Sequence, residues 1–355
     1  DAAAFADLAE KARAAGKGIV CIKSGKTELS RTAAASHTAS LAGGGAASSA
    51  FLRACGVAEV ATPAELIETL KIFHHCGPQI GPRLCSLSCS GGEAGLVADL
   101  AAPYGVDFPP PSNAQRQRLG DILGPIVAIA NPLDYHTFIW GDGPRTTDVF
   151  TTMLSGYDAG IFIIDPPRPD RCDPSSFQPA LDAITAAATA TGKPAFAVAS
   201  LPENFNEALA ARMAGPNIVP MMGLETSLAA IRAAQTPPNK GSWRPWPRLP
   251  HRPTRMRDEA SAKALIAAAG VTIPRSVTAP TIASLSPLAA TLTPPLALKG
   301  LGFAHKTEAG AVRLNLTTVD NQPDMAGAQG YLAEEMVTAP IAELLIGLRR
   351  DPVYG

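Results

Sequence analysis

The sequence predicts an α/β fold of doubly wound parallel sheets, followed by a separate, smaller unit. Short apolar runs alternate with amphipathic helical stretches as far as residue 235, and this pattern is typical of parallel sheets that helices cover on both faces. Residues 236–253 are rich in proline and lack a hydrophobic period, which indicates a stiff linker. We therefore expect ligands at the carboxyl ends of the strands.

Residues 1–76 predict an alternation of helices and strands. The first helix ends at Gly16, since glycine commonly terminates helices, and the first strand is closed by Ser24 and Gly25. The predicted elements are a helix over Ala4–Ala15, a strand over Ile19–Ile22, a helix with Phe51, Leu52 and Ala54, a strand over Val57–Val60 and a helix over Ala64–Phe73.

Residues 77–235 predict a second set of βα units, which begins near Pro82. The run LCSLSCSGG is a buried strand that leads into a glycine turn, and a helix over Glu93–Ala102 follows it. Further strands are predicted at Ile126–Ile129, Ala159–Ile164, Ala195–Ala199 and Ile218–Pro220, with helices at Pro179–Ala190 and Glu207–Met213.

Residues 254–355 predict the third unit. RDEASAKALIAAAGVTIP is a helix that leads to a strand, PPLALKG is a strand, HKTEAGAVRLNL is a turn and a strand, and YLAEEMV is another strand. Because residue 1 is Asp and the last residues complete no domain pattern, we interpret the chain as a fragment.

The composition limits the classes of function. The 355 residues carry 30 basic and 31 acidic side chains, a net charge of −1, so no basic footprint for nucleic acid or an anionic membrane is present. No apolar run is long enough to span a bilayer and no secretory signal opens the sequence, so a cytoplasmic protein is expected. The six cysteines are scattered, which favours neither a disulfide framework nor a zinc site.

The first candidate site surrounds His37. The segment SRTAAASHTASLAGGG, residues 30–45, places Ser36 and Thr38 beside it among other small residues. Core histidines usually have large apolar neighbours, and the small ones here leave room for a bulky group on the imidazole. A histidine in a surface loop is the alternative interpretation.

The second candidate site is the glycine turn at Ser90, Gly91 and Gly92. A buried strand ends there and a helix begins at once, so free backbone N–H groups and the helix dipole suit a phosphate group. A tight turn without a ligand is the alternative. Glu93, in the first helical turn, is ordinary for helix stability but could repel a phosphate.

The third candidate site contains lysines of the last unit. Lys299 lies at the end of a predicted strand, where its ammonium group could meet a nucleotide phosphate, and His305 and Lys306 follow. For each lysine, a solvated surface charge is the alternative.

Taken in order, these segments resemble the NDP-forming acyl-CoA synthetase superfamily, the relatives of acetate–CoA and succinate–CoA ligases. The similar segments are IKSGKTELSRTAAASHTASLAGG, SCSGGEAGLVADLA, NPLDY, ALKGLGFAHKTEAGAVRLNL and AEEMVTAPIAELLIGLRRDPVYG, and the likeness covers nearly the whole chain. It implies flavodoxin-like, succinyl-CoA synthetase-like ligase domains, the second half of one at 1–76 and another at 77–235. It also implies the N-terminal part of an ATP-grasp α+β domain at 254–355, with the family's CoA-binding domain and the remaining ATP-grasp residues missing.

The resemblance implies roles for individual residues. His37 matches the phosphohistidine, and Ser36 and Thr38 belong to its phosphate-binding segment. The remaining positions are Ser90, Gly91 and Gly92 at the helix N-terminus that holds the phosphorylated ring, Lys299, Lys306, Glu335 and Glu343 as nucleotide-binding residues, and His305 as a second phosphate carrier.

The reaction implied is ADP-forming ligation of a carboxylic acid to coenzyme A through phosphohistidine and an acyl phosphate. ATP, Mg²⁺ and coenzyme A are the expected cofactors and substrates, a homo-oligomer is expected, and the Mg²⁺ ligands are expected outside this sequence. Alternatives are a lyase of the same superfamily that forms a CoA thioester, a regulatory module of a protein acetyltransferase, and an unrelated flavodoxin-like binding module.

The acyl substrate is suggested by one aromatic segment. NPLDYHTFIWGD, residues 131–142, places Tyr135, His136, Phe138 and Trp140 beside the expected site. These side chains predict a pocket for an aryl or larger acyl group, with ordinary core packing as the alternative.

Overall fold

A computed structural model describes residues 2–38, 45–235, 257–303, 306–344 and 346–347. Side chains are described for these ranges except at residues 34–38. The described residues fall into two compact units, one up to residue 235 and one from residue 257 onward. Within these ranges, no helix is both long and apolar enough to cross a lipid bilayer.

The first part of unit 1 contains a two-stranded parallel sheet in which Val20 pairs with Ala58. Phe51, Leu52 and Val57 are buried in its small core. Its elements are α1 (Ala2–Ala14), β1 (Val20–Ile22), α2 (Glu28–Thr38), α3 (Gly45–Ala54), β2 (Ala58–Val60) and α4 (Pro63–Cys76).

The backbone at His37 corrects one expectation. A surface loop was the alternative interpretation of this segment, but residues 28–38 are helical. Thr27 Oγ1 accepts the N–H of Ser30 at 3.2 Å, and the alanines that follow have the highest intrinsic preference for helix. The alanines before His37 therefore favour a helix, and the surface-loop alternative is wrong for the backbone of residues 28–38.

The larger part of unit 1 is a five-stranded parallel sheet with helices on both faces. Its elements are β3 (Leu84–Ser88), α5 (Gly91–Ala101), α6 (Asn113–Leu123), β4 (Leu133–Asp134), α7 (Gly143–Ser155), β5 (Ala159–Ile163), α8 (Gln178–Thr191), β6 (Ala195–Ala199), α9 (Glu207–Met213), β7 (Ile218–Met222) and α10 (Leu224–Ala234).

The strand order, β4-β3-β5-β6-β7, confirms the flavodoxin-like prediction. Every residue of β3, β5 and β6 is buried, which explains why β5 and β6 carry no polar side chain. In β3 the two serines, Ser86 and Ser88, are buried as well. The order reverses between β3 and β5, and ligands of this fold bind beyond the carboxyl ends of the strands at that switch point.

The strand predicted at Ile126–Ile129 is wrong. Ile126 is 76% exposed, and the chain joins the sheet only at Leu133, in β4. Before it, the Asn131 side chain occupies the edge of β3, where Oδ1 accepts the Ser86 N–H at 3.0 Å and Nδ2 donates to Leu84 O at 2.9 Å. A side-chain amide thus takes the hydrogen bonds that the predicted strand would have made.

Unit 2 is an antiparallel four-stranded sheet with order β10-β9-β11-β8. This is the α+β arrangement expected for the last unit. Its core includes Leu285, Leu298, Ala311 and Ala333. The elements are α11 (Glu259–Ala268), β8 (Ser276–Ala279), α12 (Ile282–Ala289), β9 (Leu296–Leu301), β10 (Val312–Leu316) and β11 (Gly330–Glu335).

Candidate functional site

The N-terminus of α5 lies at the switch point of the large sheet. Ser90 is its N-cap residue, with an extended backbone, and within the described chain its side chain makes no capping hydrogen bond. The first helical residues, Gly91 and Gly92, are exposed. Because the first N–H groups of a helix have no partner within it, this end of α5 can bind an anion.

Acidic side chains surround the same helix end. A Cβ atom at Gly91 would lie 3.3 Å from Asp134 Oδ2, so Asp134 lies beside the first turn. Asp165, after β5, accepts the Ser200 N–H at 2.8 Å. Neither acid was predicted, although Asp134 ends β4 and Asp165 follows β5 by two residues.

Glu93, in the first turn of α5, is a partly buried acid with a raised pKa. Burial, followed by the charges of Asp165 and Asp134, raises the pKa of Glu93 to about 7. Its Oε2 is buried and accepts no hydrogen bond from the described residues. Glu93 is therefore partly protonated near neutral pH, which reduces the repulsion of a phosphate that the sequence suggested.

Two of the four aromatic side chains of residues 131–142 belong to the core. Tyr135 is 3% exposed and meets Phe150 edge-to-face, with ring centroids 5.1 Å apart. Trp140 meets Phe177 in the same way at 5.0 Å. For these two residues packing is the correct interpretation, whereas His136 and Phe138 remain partly or largely exposed.

The predicted phosphohistidine segment lies largely outside the description. The side chains of Ser36, His37 and Thr38, and residues 39–44, are not among the described parts of the chain, and neither is His305. The roles of these four residues stay predictions.

In unit 2, three lysines surround two carboxylates. Lys299 Nζ lies 2.6 Å from Glu259 Oε1 and 2.5 Å from Glu334 Oε1. Lys263 Nζ lies 2.8 Å from Glu259 Oε1 and also contacts Glu334, and Lys306 contacts Glu259 Oε2. We call these five residues the lysine–glutamate cluster; its three cations and two anions leave one positive charge.

The solvated-charge interpretation is wrong for Lys299 and Lys306. Both side chains are 19% exposed. Partial burial disfavours the ammonium form of Lys299, but the carboxylates of Glu259 and Glu334 outweigh it and raise the pKa of this lysine. Lys299 therefore keeps its charge at any pH at which the protein would act.

The same balance sets the ionisation of Glu259. Burial alone would raise its pKa, but hydrogen bonds from Lys263, Lys299 and Lys306 outweigh burial and lower the pKa of Glu259 to about 2. A carboxyl group whose pKa is lowered by folding stabilises the folded state above its unfolded pKa. That stability is lost as the pH falls from about 4.5 to about 2.

Replacing Glu259 with glutamine tests this linkage. We expect the variant to lose about 1–3 kcal/mol of unfolding free energy at pH 7, with the full pKa shift discounted because the carboxylate is partly solvated. The thermal transitions of variant and wild type, recorded from pH 7 to pH 2, should converge at the acid end. An equal difference at both ends would contradict the role given to Glu259.

Sequence reasoning missed three members of the cluster. Glu259 and Lys263 are four residues apart on α11, which places them on one helix face. Glu334 is buried on the same face of the sheet as Lys299. Leu332 pairs with Lys299, paired residues share a face, and Glu334 lies two residues after Leu332 on that face. The alternation of strand residues could have identified Glu334.

The two other predicted acids lie apart from the cluster. Glu335 follows Glu334 on β11 and so points to the opposite face, where its Oε1 accepts from Arg275 at 3.1 Å and from the Thr293 N–H at 2.8 Å. Glu343 is exposed in the chain after β11. Their nucleotide-binding roles stay predictions.

An open cleft of about 640 Å³ lies beside the cluster. Its lining includes Arg257, Glu259, Gly302, Phe303, Lys306 and Gln329. Two cations, Arg257 and Lys306, and two anions, Asp258 and Glu259, line this cleft, so any positive charge that a polyphosphate would meet there comes from the neighbouring lysine–glutamate cluster. Among the described residues, no group of three or more His, Cys, Asp and Glu side chains is arranged to hold a metal ion.

Comparison with known proteins finds a family match in the first part of unit 1 and similar proteins along both units. Residues 1–73 match the succinyl-CoA ligase-like flavodoxin domain. A trans-feruloyl-CoA synthase from an unknown prokaryotic organism is 27% identical over 99% of this chain and 53% of its own length. The ADP-forming acetate–CoA ligase I of Archaeoglobus fulgidus is 24% identical over 96% of this chain and 52% of its own length.

Among solved structures, the dinucleotide forming acetyl-coenzyme A synthetase 1 of Candidatus Korarchaeum cryptofilum, in complex with phosphate and ADP, has a similar fold. It aligns with a TM-score of 0.52 and 22% identity over 65% of this chain and 49% of the other. The chain spans about half the length of the curated relatives it matches. The family match over residues 1–73, with these relatives along nearly the whole chain, supports assignment to the NDP-forming acyl-CoA synthetase superfamily.

Proposed function

We propose that the protein is an ADP-forming acyl-CoA synthetase that acts on an aromatic carboxylic acid. The single observation that carries the proposal is the free N-terminus of α5 at the switch point of a flavodoxin-like sheet. Phosphate groups bind at such helix ends. The trans-feruloyl-CoA synthase, which is similar along 99% of the chain, supports an aryl acid over acetate.

The proposed synthetase reaction has three steps. An imidazole nitrogen of His37 attacks the γ-phosphorus of ATP, and ADP leaves. The substrate carboxylate then takes the phosphoryl group from His37, which regenerates imidazole and gives an acyl phosphate. The thiolate of coenzyme A attacks the acyl carbon, and inorganic phosphate leaves with the C–O bond electrons. Imidazole suits the carrier role because it accepts and releases phosphoryl groups readily.

The described residues have distinct tasks in this scheme. Lys299 and Lys306, held by Glu259 and Glu334, would bind nucleotide phosphates in the adjacent cleft. Ser90, Gly91 and Gly92 would stabilise the transferred phosphoryl group with backbone N–H groups. Positioning and charge stabilisation supply most of the catalysis in phosphoryl transfer. Mg²⁺ with the nucleotide, a homo-oligomeric state and a cytoplasmic location complete the proposal.

A product analysis tests the proposal. The purified full-length protein is incubated with Mg-ATP, coenzyme A and one acid from a panel of acetate, hexanoate, benzoate, cinnamate and trans-ferulate. We expect ADP, phosphate and an aryl-CoA thioester in equal amounts. Formation of AMP and pyrophosphate would contradict the phosphohistidine route, and a preference for acetate over every aryl acid would contradict the substrate class.

A further inference from the structure

The loop after β4 contains a strained residue that the proposed reaction does not explain. His136 has φ 60° and ψ 160°, a backbone region that is essentially restricted to glycine. Its N–H donates to Asp134 Oδ1 at 2.9 Å. The neighbouring Tyr135 and Ile139 are 3% and 1% exposed, so buried side chains fix the loop on both sides of the strained position.

The strained loop presents a pair of stacked rings to solvent. The rings of His136 and Phe138 are almost parallel, with an interplanar angle of 5° and centroids 5.2 Å apart. Phe138 is 65% exposed. Core packing does not require this pair, because Tyr135 and Trp140 of the same segment already fill the core. The loop therefore holds an aromatic face outward.

The pair lies at the same edge of the sheet as the N-terminus of α5. Ser88 of β3 pairs with Asp134 of β4, and Ser90 and His136 each follow that pair by two residues. Neighbouring strands are about 5 Å apart. Asp134 Oδ2 lies beside the first turn of α5, 3.3 Å from where a Cβ atom at Gly91 would be, so the loop and the helix end are neighbours.

We propose that the His136–Phe138 pair is the platform that selects a planar aromatic acid. The aryl ring of the acid stacks on the pair, and its carboxylate points to the α5 N-terminus, where the phosphoryl group is transferred. Aromatic rings stack favourably at centroid separations of about 4.5–7 Å, so a third ring extends the existing pair. A straight-chain acid gains no such contact. The inference rests on the proposed function and names the specificity residues of that site.

Two variants and a control separate this role from a structural one. Phe138→Ala removes the exposed ring, and His136→Gly removes the other ring while placing glycine at a backbone conformation that suits it. Ile126→Ala is the control, since Ile126 is another exposed apolar side chain of the same unit. The full-length proteins are compared by the Kd for trans-ferulate, by kcat/KM with trans-ferulate and hexanoate, and by Tm.

We expect both variants to bind trans-ferulate about 10-fold more weakly, with the loss of kcat/KM residing in KM. Turnover with hexanoate should change by less than about 3-fold, and the control should match the wild type. The Tm of His136→Gly should be unchanged or raised, which a residue needed for the fold would not show.

Unchanged trans-ferulate binding in both variants, or an equal loss with hexanoate, would overturn the proposal. Phosphorylation of the wild type by Mg-ATP is measured in parallel without any acid. It shows whether the first step of the proposed reaction occurs, independently of how the acid binds. A protein that is phosphorylated by Mg-ATP but does not bind trans-ferulate refutes the aromatic platform without contradicting the synthetase reaction. An unlabelled protein that forms no thioester refutes the proposed function.

Discussion

Replacing Lys299 with methionine is expected to slow phosphorylation of the full-length protein by Mg-ATP by about 100-fold or more. Lys299 belongs to the lysine–glutamate cluster beside the open cleft and contacts both carboxylates of that cluster. Methionine keeps the length of the side chain but removes the ammonium group, so the cluster loses its net positive charge. A rapid-quench time course of protein-bound phosphate measures the effect.

Lys71 provides a matched control for Lys299. It also pairs with a buried glutamate, since Lys71 Nζ lies 2.9 Å from Glu68 Oε1 on α4. Lys71→Met should lower Tm because it leaves the Glu68 carboxylate without its cation, but the phosphorylation rate should persist. If the two variants slowed phosphorylation equally, loss of stability rather than loss of a phosphate ligand would explain the Lys299 result.

Replacing Gly91 with aspartate is expected to slow CoA thioester formation by about 100-fold. An added carboxylate about 5 Å from a bound phosphate costs about 3 kcal/mol at an effective dielectric constant of about 20. It would also lie against Asp134, whose Oδ2 is 3.3 Å from the new Cβ position. The helix itself should tolerate the change, because acids in the first turn are favourable for the helix dipole. The rate of thioester formation at saturating ATP measures the loss.

Gly95→Asp is the control on the same helix. Gly95 is exposed one turn further along α5, and a Cβ atom there has no described neighbour within 4 Å. Its added charge lies farther from the helix end, so thioester formation should fall much less. Equal losses at Gly91 and Gly95 would show that the N-terminus of α5 is not the place where phosphate binds.

The sequence was sufficient for most of the fold because its elements have strong periodic patterns. The strand at Ala195–Ala199 is fully buried and apolar throughout, and a continuous apolar run indicates such a strand directly. The apolar run at Ile126–Ile129 has the same local pattern but forms no strand, and the side chain of Asn131 bonds the edge of β3 instead. The sequence of residues 126–129 gives no sign of such a competition for the edge of β3.

The candidate sites were predictable to a different extent. The glycine turn at Ser90 was visible because a strand, two glycines and a helix follow in order. Glu334 was not singled out, because the strand register decides that Glu334, rather than its neighbour Glu335, faces Lys299. The strain at His136 could not be predicted, because a histidine at φ 60° depends on the contacts that hold it.

The most direct test of the account is the mass of the peptide that contains His37. The full-length protein is incubated with Mg-ATP, digested at alkaline pH and compared with His37→Ala. We predict one acid-labile phosphoryl group on that peptide in the wild type, none in the variant, and its disappearance when an aryl acid and coenzyme A are added. Nucleotide binding without a label on His37 or His305 would contradict the synthetase and favour a regulatory module.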